Sequence, residues 1–438
     1  MIADNRAAHS SGESAAARAV WGAIDAAANP LSSLIMLAGV VRALGAADYG
    51  VLTIALAASG ITLAVNPAIA TTTTKFVSEA ATESGEGTAT TAGIVTTALM
   101  AVLLIDMVLI GCAAVWREPL SYWVFGDSAG MSGMGGVLLM ALLAVGIQQL
   151  DAVVGAAMRG LERFRRQALI ELTMRGVLVG VVIAVAWRTG SVAIILRAQC
   201  LVYAGFMLIR VVALRGLMPG RRLLATSSRR QIRNLVHYGG WMWLSAIAGV
   251  TYTGADRIIV GRVLGLAAAG EYSIYVQLTQ VIHFLPSNLF AFSLPAFSRL
   301  SAARASRSEI GRNYRTYFRH ICASGIVLTF ALMIGWPVVS QVFGAGNLPP
   351  GGPSATVALL AANFLLLAFT AVPYYLLLAL GKSKLVSLTT SVWMCVSLLL
   401  MVLLIPRFGL AGAAVARLAY GLGTVGFIGA ARRRLVPA

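Results

Sequence analysis

The sequence predicts an all-α, polytopic membrane protein, and three observations carry that prediction. Of its 438 residues, 58% are hydrophobic and only 11% charged, and the mean hydropathy is +0.83. A soluble domain is nearer half apolar and about a quarter charged. Apolar residues come in blocks of roughly 20 or more, the length a helix needs to cross a bilayer, and not in the short alternating segments of a barrel. Landmarks also recur 220 residues apart: Trp21 and Trp241, Arg42 and Arg262, Gly45 and Gly265, Gly50 and Gly270, Trp116 and Trp336, Arg197 and Arg417.

About twelve spans follow from the hydropathy: 17–41, 50–73, 90–115, 136–158, 167–187, 191–213, 235–256, 267–291, 318–342, 355–380, 385–405 and 409–431. The repeat divides them into an N-lobe (17–214, helices 1–6) and a C-lobe (235–431, helices 7–12). A basic linker (215–234) joins the lobes, and tails occupy 1–16 and 432–438. Six spans return the chain to its starting side. The halves are therefore expected to be parallel repeats about an axis along the membrane normal, leaving a central cleft. The polar N-terminal residues lack a signal peptide's apolar run and cleavage site, so the first block is expected to be an uncleaved span.

The net charge of +18 does not point to nucleic acid, because of where it sits. With both termini in the cytoplasm, inner segments hold 24 Lys and Arg residues and outer segments hold 6. That bias is the positive-inside signature. The linker and the segment 299–319 are expected to lie as basic helices on the cytoplasmic surface, attracted to anionic lipid. Cys112, Cys200, Cys322 and Cys395 fall in apolar blocks without metal or redox spacing. "GLGTVG" (Gly421 to Gly426) lies in the last span with no preceding strand, and "GKS" (Gly381 to Ser383) lacks the upstream glycine of a P-loop. Neither is a nucleotide site, so no ATPase and no cofactor is expected.

Polar residues inside the spans mark candidate function, since lipid cannot satisfy them. Asp25 and Asn29 share a face with Ser32 and Ser33; Ser59, Thr62 and Asn66 form a second stripe, before Pro67. In the second half, Ser245, Tyr252 and Asp256 align, as do Ser273, Gln277 and Gln280, before Pro286. These stripes either line the cleft or join helices to one another. Glu171 and Arg175 stand four residues apart. One reading is an internal ion pair; the other is that Arg175 holds an anionic cargo when Glu171 releases it. Asp25 and Glu171 are the candidate sites for coupling to a proton or sodium gradient. Arg197 and Arg417 are expected to snorkel outward or to pair with Glu171 or Asp151. Asp106 stands alone among Leu, Ile and Val, with no role assigned. His283 is expected to make a structural hydrogen bond, and no two histidines have metal-ligand spacing. Arg42 and Arg262 are cations at the outer ends of their helices. Asp48 is placed to cap the second helix, and Gly45 and Gly50 to permit the turn before it.

Several landmarks in order resemble a known family. They are "RALGAADYG", "VLTIALAASGITLAVNPAIATTTTKFVSE", "AAMRGLERFRRQALIELTMR", "YWVFGDS" and "YYLLLALGKSKLVSL". Together, from about Trp21 to Arg433, they resemble the polysaccharide transporter family of the multidrug/oligosaccharidyl-lipid/polysaccharide flippase superfamily. The resemblance implies two six-helix lobes forming a V and working by alternating access. It implies an undecaprenyl-diphosphate-linked glycan as cargo, an O-antigen or exopolysaccharide precursor, in the bacterial inner membrane. It also implies a monomer that works beside polymerase and export proteins. Such flippases present cationic side chains to the head group, yet here the first two spans hold no mid-helix Arg or Lys. Two other readings stay open: a cation-coupled multidrug antiporter of the same fold, and a membrane-embedded glycan polymerase or ligase. The last needs outer-loop catalytic groups, and the longest outer segment, Trp116 to Gly136, offers only Glu118 and Asp127.

Overall fold

The computed structural model describes residues 15–435 apart from 61, 63–68, 71, 75, 79–86, 127–132, 162, 218–248, 292, 304–305 and 345–351. The side chains of 15–27, 29, 87–90, 164, 295 and 302 also lie outside the described set. Among the described residues every regular element is a helix, and eight stretches are long and apolar enough to cross a membrane.

Two of those eight stretches hold two predicted spans each. Ala15–Gly60 turns at Gly45, whose φ of 75° suits glycine. Ser383–Thr424 turns at Gly409, φ 56°. There the chain doubles back, because the Ser397 hydroxyl donates to the Ala416 carbonyl at 2.8 Å. Nineteen residues of straight helix would hold that pair about 28 Å apart. Gly265 (φ 91°) ends the helix 249–264 as Gly45 ends the first span, 220 residues earlier. Asp48 lies, exposed, in the turn after Gly45. It therefore sits inside the second helix, where its charge complements the helix N-terminus, and not at the capping position.

Other spans differ from expectation for local reasons. Of the span 50–73, the described residues 50–60, 69–70 and 72–73 are helical and Thr62 lies in a tight turn; the rest lie outside the described residues. The span 267–291 is broken into Leu266–Thr279 and Val281–Leu289, the second holding Pro286. Most of the span 235–256, and the linker 215–234 beyond Leu217, lie outside the described residues. The predicted surface helix 299–319 is not a separate element. Its second half is the start of a continuous helix, Arg307–Ile334. Ser306 fixes that start by accepting from the Glu309 amide at 3.3 Å, in the Ser-x-x-Glu arrangement of a capping box.

The main core joins residues from both halves of the sequence, among them Leu37, Ile54, Val260, Tyr272, Ala361 and Ala413. Its centre is the packing of Ala15–Gly60 against Leu266–Thr279. There the repeat becomes a physical contact. A Cβ on Gly50 would overlap the Leu266 carbonyl, and a Cβ on Gly270 would overlap the Ala46 carbonyl. Both glycines and both carbonyl residues are 220 apart, so each contact is the other under exchange of the halves. One turn on, the Ser273 hydroxyl donates to the Thr53 hydroxyl at 3.0 Å, again a pair 220 apart. Gly50 thus serves close helix approach, which small residues permit in lipid, and not the turn.

Candidate functional site

Most of the described site residues fall into four groups. The first is a cavity of about 220 Å³ between the halves, lined by Pro30 and Ser33 of the first helix and by Gln277, Gln280, Val281, Phe284 and Asn288. Gln277 is fixed from two sides. Its amide donates to the Ser33 carbonyl at 3.1 Å, and its carbonyl accepts from the Tyr49 hydroxyl at 2.9 Å. The cavity's polar lining is hydroxyl and amide, a set that both donates and accepts hydrogen bonds. Asp25 and Asn29 belong to the same first helix, but their side chains lie outside the described residues, as do Asn66 and Ser245 altogether.

The second group is a buried ionic cluster wholly within the first half. Arg210 reaches Asp151 at 3.1 Å and Glu171 at 2.9 Å, and Glu171 also binds Arg175 at 2.7 Å. Asp151 and Arg210 are thus paired in the interior, while Glu171 and Arg175 are partly exposed. Glu171 and Arg175 do form an ion pair. Arg210, absent from the candidates above, is the centre of the cluster; Arg197, expected either to snorkel or to pair with these acids, is exposed. Gly155 makes room, since a Cβ there would sit 2.9 Å from an Arg210 nitrogen.

The third group is in the second half. Asp256 pairs with Arg417, both buried. The guanidinium lies over the rings of Tyr252 (4.8 Å) and Phe364 (5.2 Å), and Tyr252 stacks on Tyr420 at 3.9 Å. Arg417 does not snorkel. Tyr252 and Asp256 are therefore core partners of a buried arginine and stand apart from Gln277 and Gln280 in the cavity lining. His283 is likewise structural, its ring nitrogen 3.1 Å from the Ser287 hydroxyl.

The fourth group ties the two halves together at one end, the outer end under the predicted orientation. Arg42 donates to the Gln341 carbonyl at 2.9 Å, and Arg262 donates to the Trp123 carbonyl at 2.8 Å. The donors are 220 apart and the acceptors 218 apart, so this is one interaction made twice, each half clasping the other. Arg262 also stands 5.9 Å from the centre of the Tyr122 ring. The remaining stripe residues, Ser59 and Thr62, meet neither cavity nor clasp but join Gln149 and Asp106.

Comparison with known proteins agrees with this architecture. The family model described as "Polysaccharide biosynthesis protein" matches residues 40–322. A putative O-antigen transporter of Shigella flexneri is 24% identical over 186 residues, 42% of this chain and 43% of that protein, so the match spans less than half of the relative's length. An inward-facing multidrug resistance MATE family transporter of the MOP superfamily superposes with a TM-score of 0.69 at 12% identity, covering 94% of this chain and 98% of that one. The lipid II flippase MurJ, in an inward closed conformation, gives 0.66 at 15% identity, covering 94% and 87%. With its helical membrane architecture and these matches, the chain belongs to the polysaccharide biosynthesis protein family and has the fold of the MOP-superfamily transporters.

Proposed function

We propose that this protein is a flippase that moves an undecaprenyl-diphosphate-linked oligosaccharide across the bacterial cytoplasmic membrane by alternating access. The observation that carries the reading is the match of residues 40–322 to a polysaccharide biosynthesis family on a chain with a transporter fold. The cavity chemistry supports it: Ser33, Gln277, Gln280 and Asn288 offer what sugar hydroxyls require, donors and acceptors without fixed charge. The cargo's physical problem is a polar head that must cross a core about 30 Å thick. A cleft between two lobes shields the head while the prenyl tail stays in lipid.

At about 220 Å³ the cavity is smaller than the ~300–1,000 Å³ of ordinary ligand pockets, so an oligosaccharide needs the helices to part. The paired clasps, Arg42 to Gln341 and Arg262 to Trp123, hold one end shut and must break for cargo to leave there. The termini are assigned to the cytoplasm, and the basic segments to anionic inner-leaflet lipid, on the distribution of Lys and Arg. The protein works as a monomer beside polymerase and export proteins, and a proton or sodium gradient supplies direction.

Deleting the gene tests the reading. Lipid-linked oligosaccharide should collect on the inner leaflet and surface polymer should fall. Normal polymer without accumulation contradicts the proposal. The likeness to MATE transporters favours a second reading, a cation-coupled small-molecule antiporter. Dye efflux from vesicles, with no effect on lipid-linked glycan, is the result that selects it.

A further inference from the structure

We propose that Asp106, Gln149, Thr62 and Ser59 form a binding site for a dehydrated monovalent cation, with Na⁺ as its ligand. Asp106 sits about two-thirds of the way along the apolar helix Gly87–Val115, whose Leu103, Leu104, Met107 and Val108 are exposed on the lipid-facing side. Asp106 itself is only 6% exposed and turns inward, toward Met134–Gly160. The two other fully buried acids among the described residues each have an arginine: Asp151 has Arg210, and Asp256 has Arg417. Among the described residues no cation lies within ion-pair distance of Asp106. A lone carboxylate in an apolar membrane helix carries a charge that something must balance.

Its neighbours are built from oxygen. The Gln149 amide nitrogen donates to Asp106 Oδ1 at 3.1 Å and to the Thr62 hydroxyl at 3.3 Å. The Thr62 hydroxyl in turn donates to the Ser59 carbonyl at 2.6 Å. Three further oxygens of this cluster, Asp106 Oδ2, Gln149 Oε1 and Ser59 Oγ, are buried without a hydrogen-bond partner. Their residues are 6%, 1% and 0% exposed. A buried polar atom without a partner calls for one, and these three oxygens belong to residues joined by a single chain of hydrogen bonds, so one ligand can serve them together. A proton on Asp106 supplies a donor for one acceptor; a cation can serve several.

The chemistry selects the ion. Carboxylate, amide and hydroxyl oxygens form a hard donor set, which suits alkali and alkaline-earth ions and not zinc or copper. One carboxylate balances one charge, which favours Na⁺ over Ca²⁺ or Mg²⁺. Room is also reserved, because Gly146 faces the carboxylate: a Cβ there would lie 3.3 Å from Oδ2.

The role of this site as the coupling ion of transport rests on the transporter reading, whereas binding itself does not. The test uses the full-length protein in lipid nanodiscs, with ²²Na⁺ binding measured in choline buffer and no cargo present. Saturable binding of one Na⁺ is expected, weakened at least tenfold by Asp106→Asn, Gln149→Ala and Gly146→Ala. Size-exclusion profiles and helical circular dichroism identify variants that fold, and the three substitutions provide independent readings if one does not. Absence of saturable Na⁺ binding in the wild type overturns the proposal, as does unchanged affinity in folded variants. A site that takes up only a proton, seen as pH-dependent Asp106 titration without Na⁺ competition, overturns it too. Na⁺ binding with no movement of lipid-linked glycan leaves the site standing and removes the flippase reading.

Discussion

The Asp256–Arg417 pair shows what one buried charge demands in this molecule. Neither side chain reaches water, and the arginine is enclosed by Tyr252 and Phe364. Removing one member of such a pair typically costs about 3–5 kcal/mol, because the other is left buried and uncompensated. Replacing both with apolar groups is often neutral. Asp256→Leu alone should therefore lower the thermal midpoint sharply, and Asp256→Leu with Arg417→Met should recover most of the loss. If the double variant is as unstable as the single, the pair has a role beyond mutual neutralisation. Gly155→Ala should act similarly in the first half by displacing Arg210 from Asp151 and Glu171. The Glu171–Arg175 pair was legible at four-residue spacing. Arg210 carried a signal, a lone cation among apolar residues within the span 191–213, but its partners, Glu171 39 positions away and Asp151 on another helix, could not be read from spacing.

The clasp and the glycine contact are properties of whole elements. Ala15–Gly60 and Leu266–Thr279 approach closely only because Gly50 and Gly270 lack side chains. The repeat of "VVRALGAADYG" at "VGRVLGLAAAG" was visible in the sequence, as were Arg42 and Arg262. Their acceptors are backbone carbonyls on other helices, at Gln341 and Trp123, and a carbonyl leaves no trace in residue type. The helix ends were less legible. A single glycine turns the chain at 45 and at 409, and the helix from Arg307 absorbs a basic stretch that resembled a surface segment. At up to about 1 kcal/mol for each exposed charged hydrogen bond, losing both clasps shifts the closed-to-open ratio by at most roughly 30-fold. Arg42→Ala with Arg262→Ala should thus make a cysteine at position 277 react faster with an impermeant thiol reagent added from outside. Gly50→Val should do the same by steric overlap. Unchanged reactivity in both would mean that this end is held shut by other contacts.

At the scale of the molecule, symmetry and asymmetry divide the labour. The contacts that repeat, Gly50 with Gly270, Thr53 with Ser273 and the two clasps, all join the halves. The charged clusters do not repeat: Asp151, Glu171 and Arg210 belong to the first half alone, Asp256 with Arg417 to the second. A shared hinge-like seam with separately stabilised halves is what rigid-body rocking requires. The central claim is that this rocking carries a lipid-linked glycan across the bilayer. The most direct measurement reconstitutes the purified protein in liposomes that hold a fluorescent polyprenyl-diphosphate oligosaccharide in one leaflet, and follows its exposure to an impermeant quencher on the other side. Exposure should be fast with the wild type and slow when the two halves are cross-linked across the Arg42–Gln341 clasp. Exposure no faster than in protein-free liposomes, with the protein folded and correctly inserted, would contradict it.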